Sequence, residues 1–446
     1  MARLIDPYRL APPLAALAAF LALGALYTAG GREIYAAIIR FWGVTPGLFG
    51  PFLDMHGLAA AWTCHRLGTD VAVSDPCDLM RRPFNYGPLW LPLAHLAPGP
   101  GFGDWLGWGC GVLFILSLFA LPSAQSLFET ALRVAATLST MVVFALERGN
   151  PDLVIFMLAL LIALLSARAS WLSFAAYALV IVAGLLKYYP FVLLALTLRE
   201  RPARFIAINL AALAAAALMA ALYWSDLVRG LPLIASGSYF TDLFAAKNLP
   251  FGLAQSLAAI LGEPAPSRLL AYVLYALLTL ACAGLCACIL RLAGLRPTLA
   301  KLTQAEAMLL AIGSLLVTGC FFAGQSIGYR GIFLLLVLPG LLAVRRHAAD
   351  RNLRRLGGAA SAVLVFLMWG EFFRTKLLAG LAAHGFGYGT INAAWFDFWL
   401  ARELAWWFLA AVLGAVMLAR LGEAGTGRQL AALLRRLGIK AARAPA

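Results

Sequence analysis

Residues 52–90 read FLDMHGLAAAWTCHRLGTDVAVSDPCDLMRRPFNYGPLW. This is the longest polar interval of an otherwise apolar chain, and it follows the first membrane-length apolar segment. It begins with a carboxylate, Asp54, and closes on an Asn-Tyr-Gly-Pro turn that leads back into apolar sequence. Charges held close to bilayer hydrocarbon are costly and tend to be functional. The interval therefore points to chemistry or ligand binding at one membrane face.

The rest of the chain supplies the membrane. Of its 446 residues, 63% are hydrophobic and 12% charged, against about half apolar and a quarter charged in soluble domains. Apolar runs of roughly 17–25 residues recur, enough to span a ~30 Å core as helices. About twelve such segments lie between residues 11 and 421. The expected fold is an all-α polytopic membrane protein, because the short alternating segments of a β-barrel are absent from the sequence. Residues 1–446 are read as one integral membrane domain with outer loops at 31–85, 224–266 and 373–396 and a basic tail at 422–446. The segment 86–98 is short. The segment 171–198 is interrupted by Lys187-Tyr188-Tyr189-Pro190 and is expected to bend there. The first apolar stretch has no convincing cleavage site and is read as a retained helix.

The net charge of +15 has a membrane explanation. Basic residues cluster in the links 199–204, 291–301 and 345–355 and in the tail, with Arg435, Arg436, Lys440 and Arg443. In a twelve-span topology these links share one side, which the positive-inside rule makes cytoplasmic together with both termini. Attraction to anionic lipid accounts for the charge, and no nucleic-acid partner is expected. In the outer intervals, 33–43 and 249–261 read as short interfacial helices. Tyr239, Phe240, Phe244, Trp395, Trp399, Trp406 and Trp407 suit an aromatic belt. Cys64 and Cys77 both fall in the first loop; they pair if it faces an oxidising compartment and are otherwise two thiols. The other five cysteines lie in apolar runs as packing residues.

Asp54 fits two roles. A partly desolvated carboxylate serves as a general base, and an Asp at a helix start serves as an N-cap. If 54–67 is a helix, His56 projects away from Asp54, since i and i+2 do not share a face. Asp70, Asp75 and Asp78 read either as divalent-metal ligands or, as favoured, as turn residues. Arg81 and Arg82 either hold a phosphate or pair with those aspartates. The link Glu147-Arg148-Gly149-Asn150-Pro151-Asp152 reads as self-paired and, in the twelve-span topology, lies opposite the large loop. Lys187, flanked by long apolar runs, needs an anionic partner unless it snorkels. Arg330 begins a span beside Gln325, Ser326 and Tyr329, where it snorkels or binds phosphate.

The order of these motifs resembles a known family. A span is followed by an outer loop with an early Asp, Gly68-Thr69-Asp70 and Phe84-Asn85-Tyr86-Gly87-Pro88-Leu89. Then come Glu147-Arg148-Gly149-Asn150, Lys187-Tyr188-Tyr189-Pro190 and Tyr329-Arg330-Gly331-Ile332. Over roughly residues 10–345 the chain resembles the GT-C superfamily of integral membrane glycosyltransferases. It looks closest to the polyprenyl-phosphate-mannose-dependent mannosyltransferases related to those acting on phosphatidylinositol mannosides. It departs at Gly87, where that family often has proline, and it lacks the paired acidic residues some branches carry in the first loop. The resemblance implies an inverting transfer of mannose or a similar sugar from a polyprenyl-phosphate donor to a lipid or glycan acceptor. Asp54 would be the base, and Lys187, Arg330 and Arg82 would bind the donor phosphate. His56, Asn85, Tyr86, Tyr188, Gln325 and Tyr329 would contact substrates. No cofactor and no metal is implied, because cationic side chains can stabilise the leaving phosphate. The implied setting is a bacterial inner membrane with the site on the periplasmic face. A transporter or flippase of an anionic or lipid-linked substrate, an assembly subunit and a lipid-linked polymer ligase are the competing readings.

Overall fold

The computed structural model describes residues 6–47, 50–96, 99, 101–168, 172–230, 233, 237–422, 425–426 and 428–429. The tail residues Arg435, Arg436, Lys440 and Arg443 lie outside them. The described chain is helical apart from one short ladder pairing Leu243–Phe244 with Ser326–Ile327. Among the described residues, eight helices are long and apolar enough to cross a membrane: Pro7–Thr28, Phe102–Ala120, Leu127–Arg148, Pro202–Leu222, Arg268–Leu290, Gln304–Ala323, Gly328–His347 and Tyr388–Leu421. The pair Arg351–Met368 and Gly370–Ala383, bent by 63°, makes a ninth if taken as one span.

Local chemistry sets their ends. Thr303 and Glu306 form a reciprocal capping box at one start, and Ser267 and Asp350 cap two others through their side chains. Burial orders them from centre to rim. Gln304–Ala323 and Gly328–His347 are 83% and 89% buried by their neighbours. Pro202–Leu222 and Arg268–Leu290 are only 11% and 6% buried and expose Leu210, Leu213, Leu277 and Leu280. Such broad apolar faces are stable against lipid rather than water. The chain is an all-α membrane protein.

Two expected crossings are drawn differently. The segment 86–98 forms a 3-10 helix, Pro88–Leu96. At ~2.0 Å per residue such a short helix is far from spanning a ~30 Å core. Pro92 inside it removes a backbone donor. It packs against the helix Leu53–Arg66, where the Trp62 indole donates to the Trp90 carbonyl at 2.7 Å. The segment 171–198 is not one bent span but a hairpin. The Tyr177 hydroxyl donates to the Leu196 carbonyl at 3.3 Å and to Glu200 Oε1 at 3.0 Å, so Leu172–Leu186 and Tyr189–Arg199 run antiparallel with Lys187 at the tip. Pro190 disfavours helix at the residue before it and cannot donate a backbone bond.

The first of these differences relocates a third segment. Because 86–98 stays at one end, the next helices run opposite to expectation. The link 147–152 then arrives beside Asp54 instead of across the bilayer from it. Nor is it self-paired: Glu147 Oε1 accepts from Gly47 N at 2.7 Å, and the Glu147 carbonyl accepts from Phe52 N at 2.5 Å. The hairpin reverses the direction again, so Arg9 and Arg420 lie at the same end. At that end Arg9 reaches the Phe119 carbonyl, Arg346 bridges Glu129 and Glu306 at 2.7 and 3.0 Å, and Arg420 reaches the Leu299 carbonyl. The three long polar intervals meet at the opposite end. There Arg229 pairs with Asp70, Gly43 abuts Phe372 and the Trp399 indole donates to the Tyr239 carbonyl.

The expected short helices are present as Arg32–Phe41 and Asn248–Leu261. The aromatic belt is corrected. Phe244, Trp399, Trp406 and Trp407 are buried, with Phe244 stacked on Trp406 at 4.4 Å, because the long Tyr388–Leu421 helix turns this face inward.

Candidate functional site

Asp54 lies in the first turn of Leu53–Arg66, whose N-cap is Phe52, and no side chain caps that helix. The capping role is therefore not the one Asp54 plays. Phe52 holds a left-handed φ of 64°, a conformation that costs a non-glycine residue about 1–3 kcal/mol and gathers at functional sites. Asp54 is buried and turned inward. Its Oδ2 accepts from Asn150 Nδ2 at 2.6 Å and its Oδ1 from Arg82 Nη1 at 3.2 Å.

Arg82 comes from the far side of the same loop. It forms a two-pronged pair with Asp78, Nε to Oδ2 at 2.9 Å and Nη2 to Oδ1 at 3.0 Å, and also donates to the Leu53 carbonyl. Gly57 makes room for this arrangement, since a Cβ there would sit 2.7 Å from Arg82 Nη2. Burial raises the Asp78 carboxyl, but the hydrogen bonds and charge of Arg82 together carry it below the usual carboxylate range. Asp78 thus stays ionised and holds the guanidinium over Asp54.

From Asn150 the network continues into the hairpin tip. Lys187 Nζ donates to Asn150 Oδ1 at 3.1 Å and pairs with Asp152 Oδ1 at 2.8 Å. Tyr189 donates to the same Asp152 oxygen at 2.5 Å, and Arg330 Nε approaches Asp152 Oδ2 at 3.4 Å. That last contact is an ion pair without hydrogen-bond geometry, as Arg330 Nε and Asp152 Oδ2 have no hydrogen-bond partner among the described residues. Arg330 Nη1 also donates to Ser326 Oγ at 3.0 Å. The rings of Tyr86 and Tyr329 stand 5.2 and 5.9 Å from Lys187 Nζ. Burial, then the Asp54 charge, push the Tyr86 hydroxyl well up, so it remains protonated. Three cations, Arg82, Lys187 and Arg330, balance three carboxylates, Asp54, Asp78 and Asp152.

Gly87 explains its departure from the proline common in the resembled family. Its backbone N–H donates to the Leu186 carbonyl at 2.8 Å, which proline cannot do, and any Cβ would meet the Leu185 carbonyl at 2.0 Å. That close approach docks the Asn-Tyr-Gly-Pro turn on the hairpin and brings Tyr86 to Lys187. Asn85, Tyr86 and the half-exposed Tyr188 line a cavity of about 320 Å³ with Asp70 and Arg229.

Two expected substrate residues stand apart from this cluster. His56 pairs with Asp104 at 3.0 Å near the surface. Gln325 donates to the Gly237 carbonyl and to Asn248 Oδ1. The acidic run takes its turn role: Asp70 accepts from Ala72 N and Asp75 from Cys77 N. Cys64, Asp75 and Cys77 lie within metal-ligand distance of one another, but both sulfurs are committed to the Cys64–Cys77 disulfide. That disulfide closes the segment directly before Asp78. Cys64→Ser/Cys77→Ser is expected to destabilise the protein by about 2–4 kcal/mol, read as a lower melting temperature; melting equal to wild type would remove the disulfide as a brace of the loop.

Asn150, Asp152 and Tyr189 belong to the site although they are not among the residues expected from the sequence. Each lies within a quoted motif, so the signal is present, but the twelve-span reading puts the link carrying Asn150 and Asp152 on the opposite face. Comparison with known proteins adds no relative: no protein-family model, curated protein or solved structure matches the chain.

Proposed function

We propose that the chain is a membrane glycosyltransferase that moves a monosaccharide, mannose or similar, from a polyprenyl-phosphate donor to a lipid or glycan acceptor, with Asp54 as general base. The observation that carries this reading is the joining of Asp54, Lys187 and Arg330, which are far apart in sequence, through Asn150 and Asp152 into one buried network at the polar-loop end. The resemblance to GT-C mannosyltransferases assigns the same three residues to one reaction.

In this reading an acceptor hydroxyl approaches a free lone pair of the Asp54 carboxylate, which accepts its proton. The acceptor oxygen attacks the anomeric carbon from the face opposite the phosphate. The new C–O bond forms as the bond to the phosphate oxygen breaks, and the bonding electrons leave with polyprenyl phosphate, so configuration inverts. Asn150 holds Asp54 in place. The charge developing on the phosphate falls to Arg330 and Arg82, whose side chains keep 24% and 32% of their surface open. Lys187, 7% open and engaged by Asp152 and Asn150, orients the network from which these cations act.

Topology belongs to the same reading. Twelve passes, counting each leg of the 172–199 hairpin and omitting 86–98, put both termini and the arginine-rich links in the cytoplasm. The network then opens to the periplasmic face of a bacterial inner membrane, where a disulfide persists. Incubating the purified protein in lipid with a panel of radiolabelled polyprenyl-phosphate sugars and a total lipid extract is expected to yield a new labelled lipid or glycan. Recovery of every donor unchanged would overturn the proposal.

A further inference from the structure

A second cavity, of about 520 Å³, lies at the same end of the molecule, and none of the residues discussed for Asp54 chemistry lines it. Its size is within the ~300–1,000 Å³ of ligand pockets. Five separate stretches build it: the loop after Arg32–Phe41, the helix Thr140–Arg148, the segment 238–242, and the helices Gly370–Ala383 and Tyr388–Leu421. Gly43, at a φ of 79°, lets the first loop close against the second helix pair, since a Cβ there would sit 2.7 Å from Phe372 N.

One wall is polar and rigid. Glu371 is clamped by Arg374 at 2.6 Å and by Arg402 at 2.7 Å. Arg402 in turn pairs with the fully buried Glu403 at 2.9 Å and donates to the Thr241 carbonyl at 2.6 Å. Asp242 lines the same wall and has no ion-pair partner among the described residues. Burial, then the neighbouring Glu371 charge, raise its carboxyl above the usual range. The lining is also aromatic, with the half-buried rings of Phe240 and Trp395 5.3 Å apart. Thr140 adds a hydroxyl, although it is engaged with the Trp42 carbonyl at 2.9 Å.

These features select a ligand class. Three carboxylates, Asp242, Glu371 and Glu403, against two guanidiniums, Arg374 and Arg402, disfavour an anion. The polar wall disfavours a lipid tail. A pyranose ring matches both parts of the lining, because its hydroxyls need planar polar partners and its C–H face stacks on aromatic rings.

We propose that this cavity is a carbohydrate subsite that seats a neutral pyranose ring, with Asp242 and Arg374 hydrogen-bonding its hydroxyls and Trp395 and Phe240 stacking on its C–H face. Phe144 lines the cavity, and its ring meets Tyr329 at 5.5 Å, which in turn stands beside Lys187. The cavity therefore shares a wall with the Asp54 network and lies apart from the one lined by Tyr86 and Tyr188. Its role as the acceptor subsite rests on the glycosyltransferase reading; its capacity to bind sugar does not.

The test is a titration of the full chain in nanodiscs with methyl glycosides of the common hexoses and with spermidine, read by saturation-transfer NMR. At least one neutral glycoside is expected to bind, and Asp242→Asn and Trp395→Ala are each expected to weaken it by at least about tenfold. Trp395→Phe, which keeps an aromatic face, is expected to bind better than Trp395→Ala and covers the case in which the alanine variant fails to fold. No glycoside binding to wild type, binding of spermidine alone, or wild-type affinity in Asp242→Asn would overturn the subsite. Transfer assays on the same preparations separate the two claims. Glycoside binding that Asp242→Asn abolishes, without transfer from any donor, supports the subsite and removes the transferase reading. Transfer by wild type with an unchanged acceptor KM in Asp242→Asn does the reverse.

Discussion

Asp54→Asn is expected to lower sugar transfer by about 10²–10⁴-fold, the usual contribution of a positioned general base, while the protein still folds. The geometry makes this substitution clean. Asparagine has the shape of aspartate, and its side-chain oxygen still accepts from Asn150, which donates to Asp54 at 2.6 Å. Arg82 loses one charged partner but keeps its two bonds to Asp78 and its bond to the Leu53 carbonyl. The helix needs no replacement cap, because Asp54 does not cap it. What disappears is the carboxylate charge that makes the oxygen basic enough to take the acceptor proton. Initial rates of labelled product, measured beside melting temperature, make the comparison. Turnover equal to wild type would remove Asp54 as the base.

Asp152→Asn is expected to act first on stability. Asp152 is fully buried and is the common counter-charge of Lys187 and Arg330, at 2.8 and 3.4 Å. Removing its charge strands the buried Lys187 and the partly buried Arg330, and breaking a buried pair on one side costs about 3–5 kcal/mol. The loss is expected as a large fall in melting temperature together with loss of transfer. The companion variant Asp152→Asn/Lys187→Met removes one cation along with the anion. Residues in direct contact couple, so the double variant is expected to be more stable than the sum of its single changes. Transfer is expected to stay absent in it, because Asn150, which positions Asp54, loses the lysine that orients it. Melting of Asp152→Asn equal to wild type would contradict the charge-balanced network.

Most helices were legible because a bilayer demands long apolar runs, and the central Gln304–Ala323 and the peripheral Arg268–Leu290 read alike on that measure. What hydropathy does not contain is whether a marginal segment crosses. Residues 86–98 are apolar but short and hold Pro92, and docking against Trp62 keeps them at one end. Residues 171–198 have the hydropathy of one long span, yet Pro190 folds them into a hairpin. The first difference inverts the helices between the two segments, and the hairpin restores their direction. That inversion hid Asn150 and Asp152, which sequence alone had placed across the membrane.

The same contrast applies to the site. Asp54, Lys187 and Arg330 stand out because a charge in an apolar setting is costly and demands a partner. Asn150 and Tyr189 carry no such cost by themselves, and their role exists only through what they touch. The sequence offers Arg82 either a phosphate or an aspartate; in the structure it binds Asp78 and still leaves a third of its surface open. His56 was expected to point away from Asp54, and it does so, toward Asp104.

In the proposed function the buried network serves chemistry on a lipid-linked sugar. Its most direct test uses sealed vesicles holding the purified protein, a radiolabelled polyprenyl-phosphate sugar and an acceptor lipid extract, with the chemical form and the leaflet of the label both followed. Label is expected to leave the polyprenyl phosphate and to appear in a new glycoside of inverted anomeric configuration. Label that changes leaflet while its donor stays chemically intact would contradict the proposed function and identify a flippase instead.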